Sequence, residues 1–147
     1  MNLPNAVLVC FTAANHSDDL HKRIVNGEAV TSRAYPYQAS LQIYQYEEWH
    51  HICGASIIGD NKLLTAAHCF GEEDDDEDDY AVLLGTLNLD DVDKSAQFIR
   101  VRSFKRHPGF KVNLSLGYPD DIAIVLLDSL IEFNDHVQVI LNLPFVI

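Results

Sequence analysis

Apolar and polar residues alternate along this chain with period two, and no segment carries a sustained helical stripe. Leu41 and Ile43 fall on one side of a run whose other side holds Gln42 and Tyr44, and Gln45 continues the first side less clearly. Ile99, Val101 and Ser103 repeat the pattern, with Phe98 breaking the register. The pattern predicts strands over Tyr37–Tyr46, Ile52–Ile58, Lys62–Thr65, Tyr80–Leu84, Gln97–Arg106 and Ile122–Leu127. Turn residues separate them: Gly59-Asp60-Asn61, Gly71, Gly85, Pro108-Gly109 and Gly117-Tyr118-Pro119. About six strands in roughly 110 residues, regularly punctuated, predict an all-β barrel or sandwich.

The bulk composition narrows the class without naming a function. The chain has 147 residues, 48% hydrophobic and 22% charged, which fits one ordinary globular domain. Its formal net charge of −12 argues against nucleic acid and against anionic membrane surfaces, both of which would repel it. Much of that charge lies in one acidic run, Glu72 to Asp79, which reads as a solvated loop or as a contact surface for basic segments. Consecutive carboxylates rarely build the oxygen cage that calcium needs. His50 and His51 beside acidic residues specify a metal poorly, so no metal and no cofactor are expected.

Residues 1–14 read as a secretion signal: Ala6 to Ala14 is a short apolar core, and Thr12-Ala13-Ala14 supplies small residues for cleavage. The alternative is a buried N-terminal strand, against which the polar stretch Asn15–Arg23 counts. No other stretch is long and apolar enough to span a membrane. Cys10 falls inside the signal. Cys53 and Cys69 remain, as one disulfide in an oxidising compartment or as two buried thiols. Asn15 and Asn113 each begin an N-x-Ser sequon, and Asn113 lies in a predicted loop, which makes it the better glycosylation candidate.

Three segments carry candidate chemistry. Arg23-Ile24-Val25-Asn26-Gly27 places a basic residue before an apolar one, a junction that a protease of basic specificity would cut. Thr65-Ala66-Ala67-His68-Cys69 sets an imidazole among small residues, and an imidazole can take a proton from a hydroxyl and return it near neutral pH. Asp120-Asp121 precedes the apolar strand Ile122–Leu127, where the pair could equally cap a buried strand.

Together these segments resemble the trypsin-like serine proteases, in this order and at workable spacing. His51-Ile52-Cys53-Gly54-Ala55-Ser56 is similar to the family's H-x-C-G-G-S segment, Leu84-Gly85 to its L-G marker, and His107-Pro108-Gly109-Phe110 to its H-P-x-Y/F marker. The resemblance covers Ile24 to Pro144. It implies a single six-stranded antiparallel Greek-key barrel over residues 24–143, the first of the family's two barrels. It implies His68 as the catalytic histidine and Asp121 as its aspartate, holding the imidazole tautomer and stabilising the imidazolium. It also implies cleavage between Arg23 and Ile24 of a propeptide at residues 15–23, a Cys53–Cys69 disulfide tethering the histidine turn, and a secreted location. Residues 144–147 would begin the crossover to a second barrel.

The resemblance also sets the expectations about what is missing. No Gly-Asp-Ser-Gly-Gly or G-x-S-x-G occurs, so the chain offers no nucleophile. The glutamates with which some relatives bind calcium align with Thr86 and Ala96. The reading is a serine endopeptidase truncated before its serine and inactive as it stands, because losing the nucleophile costs about a million-fold in turnover. Peptide or protein substrates are expected only with the second barrel present, and protein inhibitors are possible partners. The alternative is a non-catalytic secreted binding domain that uses the acidic loop 72–79.

Overall fold

The computed structural model describes residues 30, 34–71, 77–112 and 117–140. Six strands form in chain order: β1 (Gln38–Gln45), β2 (Glu48–Gly59), β3 (Lys62–Thr65), β4 (Tyr80–Leu84), β5 (Gln97–Arg106) and β6 (Ala123–Leu127). They close into one barrel in the order β1-β2-β3-β6-β5-β4, and every neighbouring pair is antiparallel. Closure leaves no strand of the barrel with an unpaired edge. The alternation left an all-β barrel or sandwich open, and the six-stranded antiparallel barrel that the resemblance implies is the fold observed; β3, β4 and β5 have the expected bounds. β2 starts earlier than its apolar run because Gln45↔Glu48 and Tyr44↔Trp49 pair across the hairpin, carrying polar and aromatic residues into the ladder.

The core is the inward face of each strand. Leu41, Ile57, Leu63, Leu84, Val125 and Leu127 are among its fully buried side chains. On β2 the inward set would fail without a bulge. The register shifts between Leu41 and Gln42, so Leu41 faces Cys53 while Gln42 faces His51. The extra residue, Ile52, lets His51 stay on the outer face and Cys53 turn into the core. His51 Nδ1 then lies 2.8 Å from the Ser40 hydroxyl.

Phe98, the apolar residue that breaks the alternation, points outward because its strand turns Phe98, Arg100 and Arg102 to the exterior. It is not isolated there. Trp49 of β2 meets it with ring centroids 5.0 Å apart, Tyr44 lies 5.2 Å from Trp49, and the Arg100 guanidinium sits 4.7 Å over the indole. Trp49 thus reaches over the strands that separate β2 from β5, in keeping with the burial of the outward-facing Ser40, Gln42 and Leu83.

The segment after β6 closes one end of the barrel. Ile131 N–H donates to Asp60 O at 2.7 Å, Gln138 N–H to Pro36 O at 2.8 Å, and Ile140 N–H to Ile57 O at 2.9 Å. These bonds set Val137 into the core. Gly85 is required here: it adopts φ +78°, and a side chain on it would press on Val137 Cγ2 at 2.9 Å. Among the described residues no helix is long and apolar enough to cross a membrane.

Candidate active site

The histidine turn grows directly out of β3. Thr65 ends that strand with its hydroxyl donating to Gly54 O at 2.8 Å, and the chain then folds into a single 3-10 turn, Ala67–Cys69. Ala67, the first residue of the turn, is fully buried in the core. Cys53 and Cys69, 16 residues apart, are joined in a disulfide that fastens the turn to the wall of β2. Closing a loop of that length stabilises a fold by about 3 kcal/mol.

An aromatic wedge holds the other side. Phe70 stacks on Phe104 of β5 with ring centroids 3.9 Å apart and meets Tyr80 of β4 edge-on at 5.2 Å. Arg106 Nη1 donates to Gly71 O at 2.6 Å. Residues 69 to 71 are therefore fixed to three different strands, and His68 has little backbone freedom.

Asp121 arrives from the opposite neighbour of β3. It stands just before β6, in a tight turn where Ile122 N–H donates to Asp120 O at 2.8 Å and His107 N–H donates to Ile122 O at 2.9 Å. Asp120 takes a left-handed conformation with φ 57°, which reverses the chain and aims the next carboxylate at the histidine. The ladder Thr65↔Ala123 sets the two approaches side by side.

The contact between them is double. Asp121 Oδ2 lies 2.6 Å from His68 Nδ1, and Asp121 Oδ1 accepts the His68 backbone N–H at 2.9 Å. A carboxylate at Nδ1 requires the proton to be on that nitrogen, which leaves the Nε2 lone pair free to act as a base. Burial pushes the Asp121 carboxyl up. The hydrogen bonds from the His68 side chain and backbone, the imidazolium charge and the Ala67 N–H together outweigh that and hold it below the usual carboxylate range. The His68 side chain is 49% exposed while Asp121 is 22% exposed, so the anchor is the more sheltered partner and the base faces outward. The Tyr118 ring lies 5.8 Å from the imidazole and 6.4 Å from Phe110.

The structure thus brings together His68, Asp121, Cys53 and Cys69. Arg23, Ile24 and Asn113 lie outside the described residues, as do residues 1–23, most of the acidic run 72–79, and the tail 141–147. His50 and His51 do not converge: His50 Nε2 bonds Gln45 O at 3.1 Å, whereas His51 turns to Ser40. Among the described residues, one cluster has metal-ligand atoms in range, Cys53–His68–Cys69, and its two sulfurs are bonded to each other. Sequence reasoning missed Tyr118, which reads as a turn residue, and missed the left-handed backbone at Asp120. The pairing of an acidic residue with a preceding Gly-Tyr-Pro turn was the available signal.

Comparison with known proteins places these residues in context. The family model described as Trypsin matches residues 24–144. The chain is 35% identical over 129 residues to a chymotrypsin-like serine proteinase of Haliotis rufescens, covering 88% of this chain and 49% of that protein. It is 35% identical over 121 residues to chymotrypsin-like elastase family member 1 of Bos taurus, covering 82% and 43%. It is 31% identical over 138 residues to chymotrypsin-C of Rattus norvegicus, covering 91% and 49%. The chain spans about half the length of the curated relatives it matches.

Proposed function

This chain belongs to the trypsin family of serine proteases, and on that footing we propose that it is the first barrel of a secreted serine endopeptidase, with His68 as general base and acid. The observation that carries the reading is the double contact of Asp121 with His68, which leaves the Nε2 lone pair available on a half-exposed side chain.

In the proposed reaction Nε2 takes the proton from a serine hydroxyl as that oxygen attacks the scissile carbonyl. The imidazolium so formed is stabilised by Asp121 and gives its proton to the leaving amine, which departs and leaves an acyl-enzyme. Water, deprotonated by the same nitrogen, then releases the acid. Among the described residues no serine hydroxyl bonds Nε2, and the serine is assigned to a second barrel. Cleavage after Arg23 is the proposed activation step. The disulfide suits the oxidising compartment that secretion implies.

The test is to express the product of the full-length message, cleave it after Arg23, and treat it with a fluorophosphonate probe and peptide esters. The expected result is covalent labelling and ester hydrolysis, both reduced by about a million-fold in His68→Ala. Labelling that survives His68→Ala would overturn the assignment. A message that ends at Ile147 and yields a stable, unlabelled secreted product would instead favour a binding domain.

A further inference from the structure

The imidazole of His68 touches the disulfide as well as the carboxylate. His68 Nε2 lies 3.9 Å from Cys69 Sγ, and the Thr65 hydroxyl oxygen lies 3.7 Å from the same sulfur. Because Asp121 holds the proton on Nδ1, Nε2 presents its lone pair in the neighbourhood of that sulfur. Beside the sulfur stand His68, Asp121 behind it, Cys53 across the bond, and Tyr118 against the imidazole. Cys53 differs. It is 9% exposed, on the inner face of β2 within the apolar core.

We propose that Cys69 is a masked nucleophile: once the Cys53–Cys69 bond is reduced, the His68–Asp121 pair activates the Cys69 thiol as a site of S-modification. A dithiol opens the bond by two successive exchanges, is itself oxidised to its cyclic disulfide, and leaves one proton on each cysteine. The Cys69 thiol then passes its proton to Nε2, giving a thiolate beside an imidazolium. That thiolate attacks a small disulfide. A Cys69 Sγ–S bond forms, the old S–S bond breaks with its electron pair on the departing sulfur, and that sulfur takes the proton from Nε2. Cys53 Sγ also lies within 4.8 Å of an imidazole nitrogen, but it sits on the inner face of β2 within the apolar core, and apolar burial disfavours its thiolate. The two cysteines of one bond therefore differ in reactivity, and the difference is set by the burial of Cys53 within the core while Cys69 is only partly buried beside the imidazole.

The probe is iodoacetamide, whose iodide leaves as the Sγ–carbon bond forms. The whole chain is reduced with dithiothreitol, freed of reductant, and alkylated between pH 5 and 9, with sites resolved by peptide mass spectrometry. Cys69 is expected to react at least about tenfold faster than Cys53 at pH 6.5. Its profile is expected to inflect a unit or more below the ordinary thiol value of about 8.5. Cys53→Ser, which presents Cys69 without any reduction step, is expected to give the same profile, and His68→Gln to return Cys69 to ordinary behaviour. The proposal is overturned if Cys69 titrates as an ordinary thiol in both reduced wild type and Cys53→Ser, or if His68→Gln leaves its rate unchanged. Loss of the barrel on reduction would equalise the two cysteines and count as the same negative. The readout is thiol chemistry, so a negative here leaves the peptidase reading intact.

Discussion

Asp121 holds His68 by two bonds at once, one to the ring nitrogen at 2.6 Å and one to the backbone N–H at 2.9 Å, across 53 residues of chain. One carboxylate therefore sets both the position of the turn and the tautomer of its side chain. Asp121→Asn separates these roles. Its amide oxygen can still accept one bond, but the second site becomes an NH2 donor. If that NH2 faces Nδ1, the proton moves to Nε2. Nitrogen-15 NMR of the imidazole is expected to show Nδ1–H in the wild type and a shift toward Nε2–H in the variant. In an enzyme using this triad the corresponding change costs about 10⁴-fold in turnover.

The same pair gives a pH signature to stability. The Asp121 carboxyl is held below its ordinary value in the folded state. Its contribution is fully present above the unfolded value of about 3.9 and is lost as pH falls through the lower, folded value. Thermal melts of wild type and Asp121→Asn should therefore differ at pH 5 and converge as pH falls below 4. A difference that persisted undiminished at pH 2 would show that the carboxylate charge is not what stabilises the turn.

Phe70 is the residue after the disulfide and the mechanical support of the histidine turn. It is 3% exposed and packed on both Phe104 and Tyr80. Phe70→Ala should cost about 3–5 kcal/mol, the usual range for emptying such a site. Urea unfolding measures this as a lower midpoint with an unchanged slope. Imidazole signals of His68 should broaden in the same variant, because the turn would lose its wedge.

Asp120 tests the aim of the neighbouring carboxylate. Its left-handed φ of 57° suits Asn and Asp, and its charge faces His107 across 3.8 Å in an exposed pair that contributes little. Asp120→Asn should change stability by no more than about 0.5 kcal/mol. Asp120→Val should cost about 1–2 kcal/mol or more, because a β-branched side chain resists that backbone. It should also weaken the Nδ1–H signal that Asp121 maintains.

Much of this was legible in the sequence because the barrel needs alternation, and alternation is visible. Leu63 and Thr65, or Ala123, Val125 and Leu127, face inward as their spacing requires. The exceptions have identifiable causes. Gln42 reads as a solvated residue yet is 7% exposed, because aromatic groups distant in sequence gather over the outer face of the barrel. Ile52 and Cys53 are adjacent yet both serve the core, because one residue of β2 is bulged out of the ladder. Cover and bulges depend on partners brought together by folding, and no local pattern contains them. The His68–Asp121 pairing was legible only through resemblance, since nothing in the two segments alone tells either that the other is near.

The ladder of β3 with β6 has a further meaning when the chain is considered in time. β1 and β2 form a hairpin and β2 leads directly into β3, but β3 cannot find its other neighbour until residues 123–127 have been synthesised. Such non-local pairing pays loop-closure entropy before any contact rewards it, which makes it a slow step. His68 and Asp121 stand on the two sides of that late seam. A ribosome-bound chain that has passed only the histidine holds a base without its anchor. The contact between the two comes into being at the moment the barrel shuts, so opening the seam, even briefly, dismantles both together.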